Sequence, residues 1–451
     1  MKKITAPLFF ALASSVLSYA AFADTGNNSA LIKQGEYVAR TGDCMACHTV
    51  GNAKPYSGGL GIKSPFGIIY STNISPDPKF GIGNYTEQQF ADAVRKGVRK
   101  DGSYLYPAMP YPSYAKMTDQ DIHALYVYFM HGVQPAAEQP KQTDLSFPFN
   151  QRWGIMFWDK LFTRDGAFTP TANRSDEINR GAYLVQAAGH CGSCHTPRAI
   201  SMQEKAYDDG SDQFLAGTEL NGWNVPSLRA GGDGSKGIDG WSVQEIVDYL
   251  QTGRNQHAAV GGEMTAVIQH STSHMTDADV KAIAEYLKTL PQKYSANESK
   301  SFSEDARTKT ENQLTQATDL TAGQRVYLDN CAACHFVNGK GASGVFPPLA
   351  GNALASAENP TGLVSIILNG SRLPTTPKAP TQLAMPDFGW RLTDAQVADL
   401  ATFIRSGWGN SQAAVSASEV KKIRAQLRAP DVTSKPMDLD GVKHYSAQKP
   451  Q

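Results

Sequence analysis

Three stretches of the chain share one pattern of polar and apolar positions. Each begins with a Thr-Asp pair, has Asp or Gln three residues after the threonine, and continues with apolar residues three and four positions apart. This arrangement of threonine and acidic residue or glutamine caps a helix N-terminus, and apolar residues at such spacing lie on one helix face. The sequence therefore predicts three amphipathic helices, opened by Thr118, Thr276 and Thr393. Their apolar faces comprise Leu125, Tyr128 and Phe129; Ile283, Tyr286 and Leu287; and Leu400, Phe403 and Ile404.

A second helical pattern precedes each of these helices. It combines a glycine with an aromatic residue, as in Gly35-Glu-Tyr-Val, Gly181-Ala-Tyr-Leu and Gly323-Gln-Arg-Val-Tyr. Elements that recur at wide, similar spacing indicate an internal repeat. We therefore predict an all-α fold of three tandem helical units, at residues 28–138 (unit 1), 175–292 (unit 2) and 318–410 (unit 3).

The six cysteines indicate the chemistry of these units. They form three pairs separated by two residues, and a histidine follows each pair directly. C-x-x-C-H is the sequence of covalent haem attachment, in which the histidine ligates the iron. One copy alone could be a redox dithiol or part of a zinc site, but a zinc ribbon uses its C-x-x-C pairs jointly, with no histidine fixed after each. We predict three haem c groups, attached through Cys44 and Cys47, Cys191 and Cys194, and Cys331 and Cys334, with His48, His195 and His335 as proximal iron ligands.

A haem iron that carries electrons usually has a second axial ligand, and methionine is the common choice. Met385 is the only methionine between the unit 3 histidine and the C-terminal tail. Met109 lies in Pro-Ala-Met-Pro, which closely matches the Ala-Met-Pro sequence around Met385. In unit 2, Met264 precedes the capping threonine Thr276, and the loop between them is comparable with those of the other units. We predict Met109, Met264 and Met385 as the sixth ligands.

Other methionines and histidines compete for this role. Met117 and Met275 each directly precede a capping threonine, where unit 3 has Leu392, so we interpret both as packing residues. In unit 2, the alternatives to Met264 are His257, His270 and His274.

Each proximal imidazole should also donate its free N–H to an acceptor. The carbonyls of Pro76, Pro226 and Pro348, in the loops after the haem motifs, are candidates.

The N-terminus has the form of a secretory signal peptide. A short basic region precedes an apolar stretch, and Ala21-Phe-Ala before Asp24 is a cleavage site. We predict a signal peptide at residues 1–23 and a periplasmic protein; a retained N-terminal anchor is the alternative. No later run is long and apolar enough to span a membrane. Lys+Arg and Asp+Glu number 42 each, a balance that does not favour a nucleic-acid partner.

Three segments lie outside the units. Residues 139–174 are unusually aromatic for a linker, so they either pack against a haem unit or form a contact surface for a partner or the membrane. The stretch from Trp153 to Phe162 is the preferred contact surface, and serine at Trp158 and Phe162 would test it. Residues 293–317 are polar and charged, which predicts a flexible linker. Residues 411–451 form a polar tail with one short predicted helix from Ala417 to Leu427, a weak candidate for membrane or partner contact.

Several passages resemble the three-haem cytochrome c subunit of bacterial membrane-bound alcohol and gluconate 2-dehydrogenases. They are Gly-Glu-Tyr-Val-Ala-Arg-Thr-Gly-Asp-Cys44, Tyr-Ser-Thr-Asn-Ile74, Tyr-Pro-Ala-Met109-Pro, Cys194-His-Thr-Pro-Arg198 and Phe-Pro-Pro-Leu-Ala-Gly-Asn352. The resemblance, closest to the gluconate 2-dehydrogenase type, covers essentially the whole chain after the signal peptide. It implies an electron-transfer subunit with no catalytic residue of its own.

The resemblance also implies partners. The catalytic partner would be a flavoprotein, or a quinoprotein in the related alcohol dehydrogenases. The electron acceptor would be ubiquinone, which places the subunit peripherally on the periplasmic face of the cytoplasmic membrane. A standalone multi-haem enzyme is the first alternative, but it needs an iron with an open position. A diffusible carrier without a fixed partner is the second.

Overall fold

The computed structural model describes residues 17–163, 166–230, 237–291 and 304–428. Unit 1 contains α1 (Leu17–Thr41), α2 (Cys44–His48), β1 (Gly61–Ser64), β2 (Gly67–Tyr70), α3 (Glu87–Lys96), α4 (Tyr111–Tyr114) and α5 (Asp119–Val127), and the aromatic segment adds β3 (Asp144–Leu145) and α6 (Trp153–Phe162). Unit 2 contains α7 (Asp176–Tyr183), α8 (Gly192–His195), β4 (Thr218–Leu220), β5 (Trp223–Val225), α9 (Val243–Thr252), α10 (Met264–His270) and α11 (Asp277–Lys288). The remainder contains α12 (Glu304–Gln316), α13 (Ala322–Asn330), α14 (Ala332–His335), α15 (Thr361–Asn369), β6 (Ser371–Arg372), β7 (Ala384–Met385), α16 (Asp394–Ser406) and α17 (Ala417–Arg428).

The three predicted amphipathic helices are α5, α11 and α16. Their predicted caps are confirmed: the backbone N–H groups of Asp121, Asp279 and Gln396 donate to the hydroxyls of Thr118, Thr276 and Thr393, respectively. In α16 the Gln396 side chain also accepts from the Thr393 N–H, which completes a capping box. The apolar faces pack inward, and Leu125, Ile283 and Leu400 are each less than 7% exposed.

Each of these helices crosses the helix that precedes a haem motif. α1 packs on α5, α7 on α11 and α13 on α16. A glycine lies at each crossing, because a Cβ would meet the backbone of the opposing helix. A Cβ added at Gly35 would lie 2.0 Å from the Ala124 carbonyl oxygen, and one added at Gly181 would lie 2.0 Å from that of Ala282. One added at Gly323 would lie 2.1 Å from the Asp399 carbonyl oxygen. The repeated glycine of the sequence is thus the contact point of a repeated helix crossing.

Units 1 and 2 share one hydrophobic core, which includes Val38 and Phe129 of unit 1 and Leu184 and Tyr286 of unit 2. Unit 3 has a core of its own around Tyr327, Leu400 and Trp408.

A pair of equivalent hydrogen bonds joins the first two units. The Tyr37 hydroxyl donates to Asp279 (2.6 Å), and the Tyr183 hydroxyl donates to Asp121 (2.5 Å). Because both tyrosines occupy the same place in the repeat, as do both aspartates, the two units face each other through matching surfaces.

The fold is largely helical, but the expectation of an all-α protein was wrong in detail. The described residues include three small antiparallel sheets, β1-β2-β3, β4-β5 and β6-β7. Gly61 pairs with Tyr70, and Gly67 pairs with Leu145, so the aromatic segment adds a strand to unit 1. These short strands lie in loops between the helices, where two to four residues carry too little periodicity to be identified from sequence.

Two segments expected to lie outside the units pack against unit 3. The predicted flexible linker contains α12, whose Arg307 and Leu314 are buried, and the Thr310 hydroxyl accepts from the Trp408 N–H at 3.1 Å. The predicted tail helix is α17, and its Val420 and Ile423 lie in the unit 3 core. Its thin apolar stripe is therefore covered by this chain. The sequence of α12 looked like a linker because only these few positions of the helix face inward.

The predicted signal peptide falls largely outside the described residues, which begin at Leu17 within α1. Among the described residues, no helix combines the length and apolar character that a membrane span requires.

Candidate functional site

Each C-x-x-C-H sequence forms a short helical turn after the first helix of its unit. These turns are α2, α8 and α14, and each ends at its histidine. No disulfide joins the six cysteines, which all lie within the described residues. Burial raises the pKa of Cys44, Cys47, Cys191 and Cys331 to about 12 and of Cys194 to about 11. Paired thiols at this spacing, on a short helical turn that ends in histidine, are compatible with thioether attachment of haem.

The histidines of the three C-x-x-C-H turns are held in the same way. The Nδ1 atoms of His48, His195 and His335 lie 2.6 Å from the carbonyl oxygen of Thr72, 2.8 Å from that of Pro226 and 3.0 Å from that of Pro347, respectively. A backbone carbonyl only accepts, so each Nδ1 carries the proton and donates. This tautomer leaves Nε2 unprotonated for a metal.

The predicted acceptors are confirmed in unit 2 and wrong in the other units. Pro226 is the acceptor for His195, whereas Thr72 replaces Pro76 and Pro347 replaces Pro348. The acceptor is a backbone carbonyl, so the path of the loop determines which residue supplies it. The side chain of that residue has no part in the choice.

Burial also lowers the pKa of the three imidazoles. The pKa of His195 falls to about 4, and those of His48 and His335 shift in the same direction. Neutral imidazoles next to paired cysteines are the donor set that haem c requires. The residues therefore fit covalent haem, which would supply reversible one-electron chemistry.

The methionines fall into two groups. Met117 and Met275 are 1% and 7% exposed within the shared core, and Leu392 is 6% exposed at the equivalent place in unit 3. This burial agrees with their interpretation as packing residues.

Met109, Met264 and Met385 are half-buried instead. Met109 lies in the turn before α4, Met264 is the first residue of α10, and Met385 pairs with Ser371 through β7. Their assignment as iron ligands stays a prediction.

Two of the histidine alternatives in unit 2 have other contacts. The His257 ring stacks on Trp241 at 5.4 Å, and its Nε2 lies 3.0 Å from Glu245. His274 contacts the carbonyl oxygen of Gln269 at 3.0 Å. His270 is buried at 5% exposure.

The haem motifs of units 1 and 2 are neighbours. The carbonyl oxygen of Gly42, just before Cys44, accepts from the Tyr114 hydroxyl at 2.7 Å and lies 3.3 Å from Nε2 of His190, just before Cys191. The sequence predicts the two motifs but carries no signal that they lie next to each other.

Helix α6 of the aromatic segment has two different faces. On one face Asp159 accepts from the Tyr111 hydroxyl at 2.6 Å, and Trp158 Nε1 donates to the Ser201 carbonyl at 2.8 Å. On the other face Trp153 and Phe157 are 66% and 53% exposed. Within the segment from Trp153 to Phe162 that the sequence suggests as a contact surface, Trp158 and Phe162 are half-buried, and Trp153 and Phe157 are the more exposed side chains.

Exposed apolar side chains are concentrated in the aromatic segment, and we call this set the α6 patch: Phe147, Phe149, Trp153, Phe157 and Leu161. Among the described residues, the other large exposed hydrophobic side chains are Ile200, Phe336, Val345 and Trp390. Concentration of such side chains in one segment indicates an interaction surface.

Comparison with known proteins agrees with this chemistry. The family model described as cytochrome c matches residues 178–291 and 320–408. The chain is 46% identical over 420 residues to the gluconate 2-dehydrogenase cytochrome c subunit of Pantoea cypripedii, covering 92% of this chain and 94% of that protein. It is 47% identical over 403 residues to the cytochrome c subunit of the quinone alcohol dehydrogenase of Gluconobacter oxydans, covering 88% and 83%. The fructose dehydrogenase cytochrome subunit of Gluconobacter japonicus is 39% identical over 413 residues, covering 87% and 82%.

Motif geometry and similarity over almost the whole chain lead to the same conclusion. The chain belongs to the family of cytochrome c subunits of dehydrogenase complexes, which are electron-transfer components and not catalytic subunits.

Proposed function

We propose that the chain carries three haem c groups, one in each of three tandem cytochrome c domains. The observation that carries this proposal is the threefold recurrence of one arrangement: a C-x-x-C-H turn, a histidine whose Nδ1 donates to a backbone carbonyl, and a glycine-mediated helix crossing. The proposed iron ligands are His48 and Met109, His195 and Met264, and His335 and Met385. With both axial positions filled by protein, the irons would transfer electrons and leave no site for a substrate.

We further propose that the chain receives electrons from a catalytic dehydrogenase subunit and passes them to membrane ubiquinone. The named relatives support a dehydrogenase partner. A flavoprotein of the gluconate 2-dehydrogenase type is the favoured partner, and a quinoprotein alcohol dehydrogenase is the alternative. The similarity of the chain to the two kinds of cytochrome subunit is nearly equal, at 46% and 47% identity, so the partner must be identified by experiment.

The α6 patch supports a peripheral position on the periplasmic face of the membrane. Trp and Phe are favoured at membrane interfaces, where their apolar rings enter the acyl boundary. Trp153, Phe157 and Leu161 recur every four residues, so they lie along one side of the helix. A helix lying flat on the bilayer could insert these three side chains together.

The mass of the purified chain tests the first part of the proposal. Intact mass spectrometry should show three haem additions and loss of residues 1–23. A mass with only two haem additions would mean that one of the three predicted domains binds no haem. Retention of the first 23 residues would favour an N-terminal anchor over a cleaved signal peptide.

Purification from the native membrane tests the second part. The chain should copurify with a dehydrogenase, and the cofactor of that partner distinguishes flavoprotein from quinoprotein. A chain that copurifies with no dehydrogenase would instead be a diffusible carrier.

A further inference from the structure

The end of α1 is held by side chains of unit 2. The last carbonyl groups of a helix have no N–H partner within that helix, and only Gly42 and Asp43 separate α1 from the haem turn α2. The Thr41 carbonyl oxygen accepts from the hydroxyl of Ser271 in unit 2 at 3.2 Å. The next carbonyl oxygen, that of Gly42, lies 3.3 Å from Nε2 of His190, also in unit 2. Two successive carbonyls just before the unit 1 haem turn are therefore partnered by the other unit.

His190 directly precedes Cys191, the first cysteine of the unit 2 haem motif. Burial lowers the pKa of His190, so its imidazole is neutral and has a single N–H. Because a carbonyl only accepts, this N–H is on Nε2 and donates to Gly42. One hydrogen bond thus joins the residues that lead into the two haem motifs.

Tyr114 of α4 supports His190 from the unit 1 side. The two rings meet edge-on, with 5.4 Å between their centroids. The Tyr114 hydroxyl donates to the same Gly42 oxygen at 2.7 Å. The His190 ring is therefore fixed by a hydrogen bond and by an aromatic contact.

The packing of the two units around their haem motifs is reciprocal. Helix α10, which begins at the proposed ligand Met264, packs on α2 of unit 1. Helix α4, which begins two residues after Met109, packs on Leu184–Ala188, just before the unit 2 haem motif. Each unit thus places the segment with its proposed sixth ligand against the haem-binding segment of the other. Haems attached to these two motifs would be neighbours.

Neighbouring haems influence each other. An electron added to one haem makes the potential at the other more negative, and this effect is larger in a protein interior than in water. The strong absorption bands of two haems also couple when their separation and relative orientation are fixed. Both effects depend on how firmly the two haem motifs are held together.

We propose that His190 is a positioning residue that holds the haem motifs of units 1 and 2 together at the Gly42 carbonyl, so that the first two haems form a coupled pair. The proposal rests on the three haems proposed above and goes beyond them by assigning how two of them interact.

Circular dichroism in the Soret region of the haem-loaded chain measures this coupling, because two interacting haems give adjacent bands of opposite sign. The wild type should show such a couplet, and His190→Gly should lose most of its amplitude. This substitution adds no backbone strain, since His190 has φ of 39°, which glycine adopts readily. His190→Gln, whose amide nitrogen can take the place of Nε2, should retain most of the amplitude. Any contribution from the third haem is common to all variants, so the difference from the wild type reports on units 1 and 2.

Tyr114→Phe and Tyr111→Phe form a matched pair, because both tyrosines are buried residues of α4. The Tyr111 hydroxyl donates to Asp159 at 2.6 Å and makes no contact with Gly42. Tyr114→Phe should reduce the couplet. Tyr111→Phe should lower the thermal midpoint but leave the couplet unchanged.

Intact mass and the thermal midpoint verify the haem content and folding of each variant. A wild type with three haems and no couplet would overturn the coupled pair, and a full couplet in His190→Gly would overturn the role of His190. Equal loss of the couplet in Tyr111→Phe and Tyr114→Phe would also overturn that role, because loosening of α4 would then explain the effect. A wild type that lacks the haem of unit 1 or unit 2 would instead contradict the three-haem proposal itself.

Discussion

The histidines of the three C-x-x-C-H turns show how backbone alone can orient a buried imidazole for the iron ligation proposed here. Each Nδ1 donates to a carbonyl oxygen, at Thr72, Pro226 or Pro347, and burial lowers the pKa of each ring. Burial favours the neutral imidazole, and the hydrogen bond selects the tautomer that leaves Nε2 free. Because the acceptor is backbone, substitutions of the residue that supplies it are compatible with the same arrangement.

The methionine assignment leads to a prediction on the optical spectrum. Met385→Ala should keep the third haem attached, because Cys331 and Cys334 are unchanged, but should abolish its methionine–iron absorption band and lower its reduction potential. Spectroscopy and potentiometric titration of the purified variant measure both effects.

Met117→Leu and Met275→Leu are the controls, since both methionines are buried in the core. Neither should change an absorption band. Loss of a band in Met275→Leu with retention in Met264→Leu would reverse the assignment in unit 2.

The buried carboxyl of Glu204 predicts a pH-dependent contribution to stability. The pKa of Glu204 is about 7 in the folded chain and 4.5 ordinarily. Between these values the unfolded chain releases a proton that the folded chain keeps, so the free energy of unfolding falls as the pH rises from about 5 to about 7. The expected loss is about 2–3 kcal/mol.

Denaturant unfolding of the haem-loaded chain at pH 5 and pH 8 measures this loss. Glu204→Gln should be less sensitive to pH than the wild type by that amount, and Glu219→Gln should behave as the wild type. Equal pH dependence in Glu204→Gln and the wild type would mean that Glu204 ionises normally in the folded chain.

At the scale of single residues, the sequence is informative where the chemistry depends on residues close together along the chain. The spacing of Cys44, Cys47 and His48 is a local property, and it recurs twice. In contrast, Glu204 and Asp159 have no distinguishing neighbours in sequence. Their burial arises only when units 1 and 2 pack together and α6 covers unit 1, so a local pattern could not identify them.

At the scale of elements, the repeated helix crossing is the feature that sequence and structure share most clearly. The glycines were visible as part of a repeat, and the structure shows their reason in the backbone contact of opposing helices. The packing of α12 and α17 against unit 3 could not be predicted from the sequence. A helix with few inward-facing apolar residues has nearly the same sequence pattern as a polar linker.

This crossing predicts a local loss of stability. Gly323→Ala places a methyl group 2.1 Å from the Asp399 carbonyl oxygen, so α13 and α16 must separate. Overpacking of this kind costs typically 1–3 kcal/mol. Thermal unfolding should show a lower midpoint for unit 3, with the third haem still attached.

Gly154→Ala in α6 is the control, because no atom lies within 4 Å of the added Cβ. It should leave stability unchanged or slightly increased. An unchanged midpoint in Gly323→Ala would show that the two helices tolerate a wider separation.

The α6 patch predicts membrane binding. Replacing Trp153, Phe157 and Leu161 together by serine should reduce binding to phospholipid vesicles at least tenfold, because the three exposed apolar side chains are lost. Cosedimentation measures the bound fraction. Serine at Phe336, Val345 and Trp390, the exposed apolar residues of unit 3, provides a matched control with the same number of substitutions.

Equal loss in both triple variants would show that binding depends on general surface hydrophobicity. Loss of dehydrogenase association with vesicle binding retained would assign the patch to the partner subunit.

At the scale of the whole molecule, the three units are not equivalent. Units 1 and 2 share a core and exchange the Tyr37–Asp279 and Tyr183–Asp121 hydrogen bonds. Unit 3 contacts unit 2 through smaller features, such as Trp223 against Gly362. The repeat in the sequence predicts three similar units. The pairing of units 1 and 2 depends on surface residues, and the repeat does not distinguish these residues from those of unit 3.

The last prediction concerns the activity of the complete complex. The isolated chain should show no turnover of alcohols, sugars or peroxide, since the proposed axial ligands leave no vacant position for a substrate. With its dehydrogenase subunit, the chain should be reduced when substrate is added and reoxidised by a ubiquinone analogue, as followed by the absorbance of its haem bands. The complex without this chain should oxidise substrate only with an artificial acceptor. Oxidation of a substrate by the purified chain alone, at a rate comparable with that of the complex, would contradict a role restricted to electron transfer. Reduction by substrate without reoxidation by the ubiquinone analogue would keep the dehydrogenase partner and exclude ubiquinone as the acceptor.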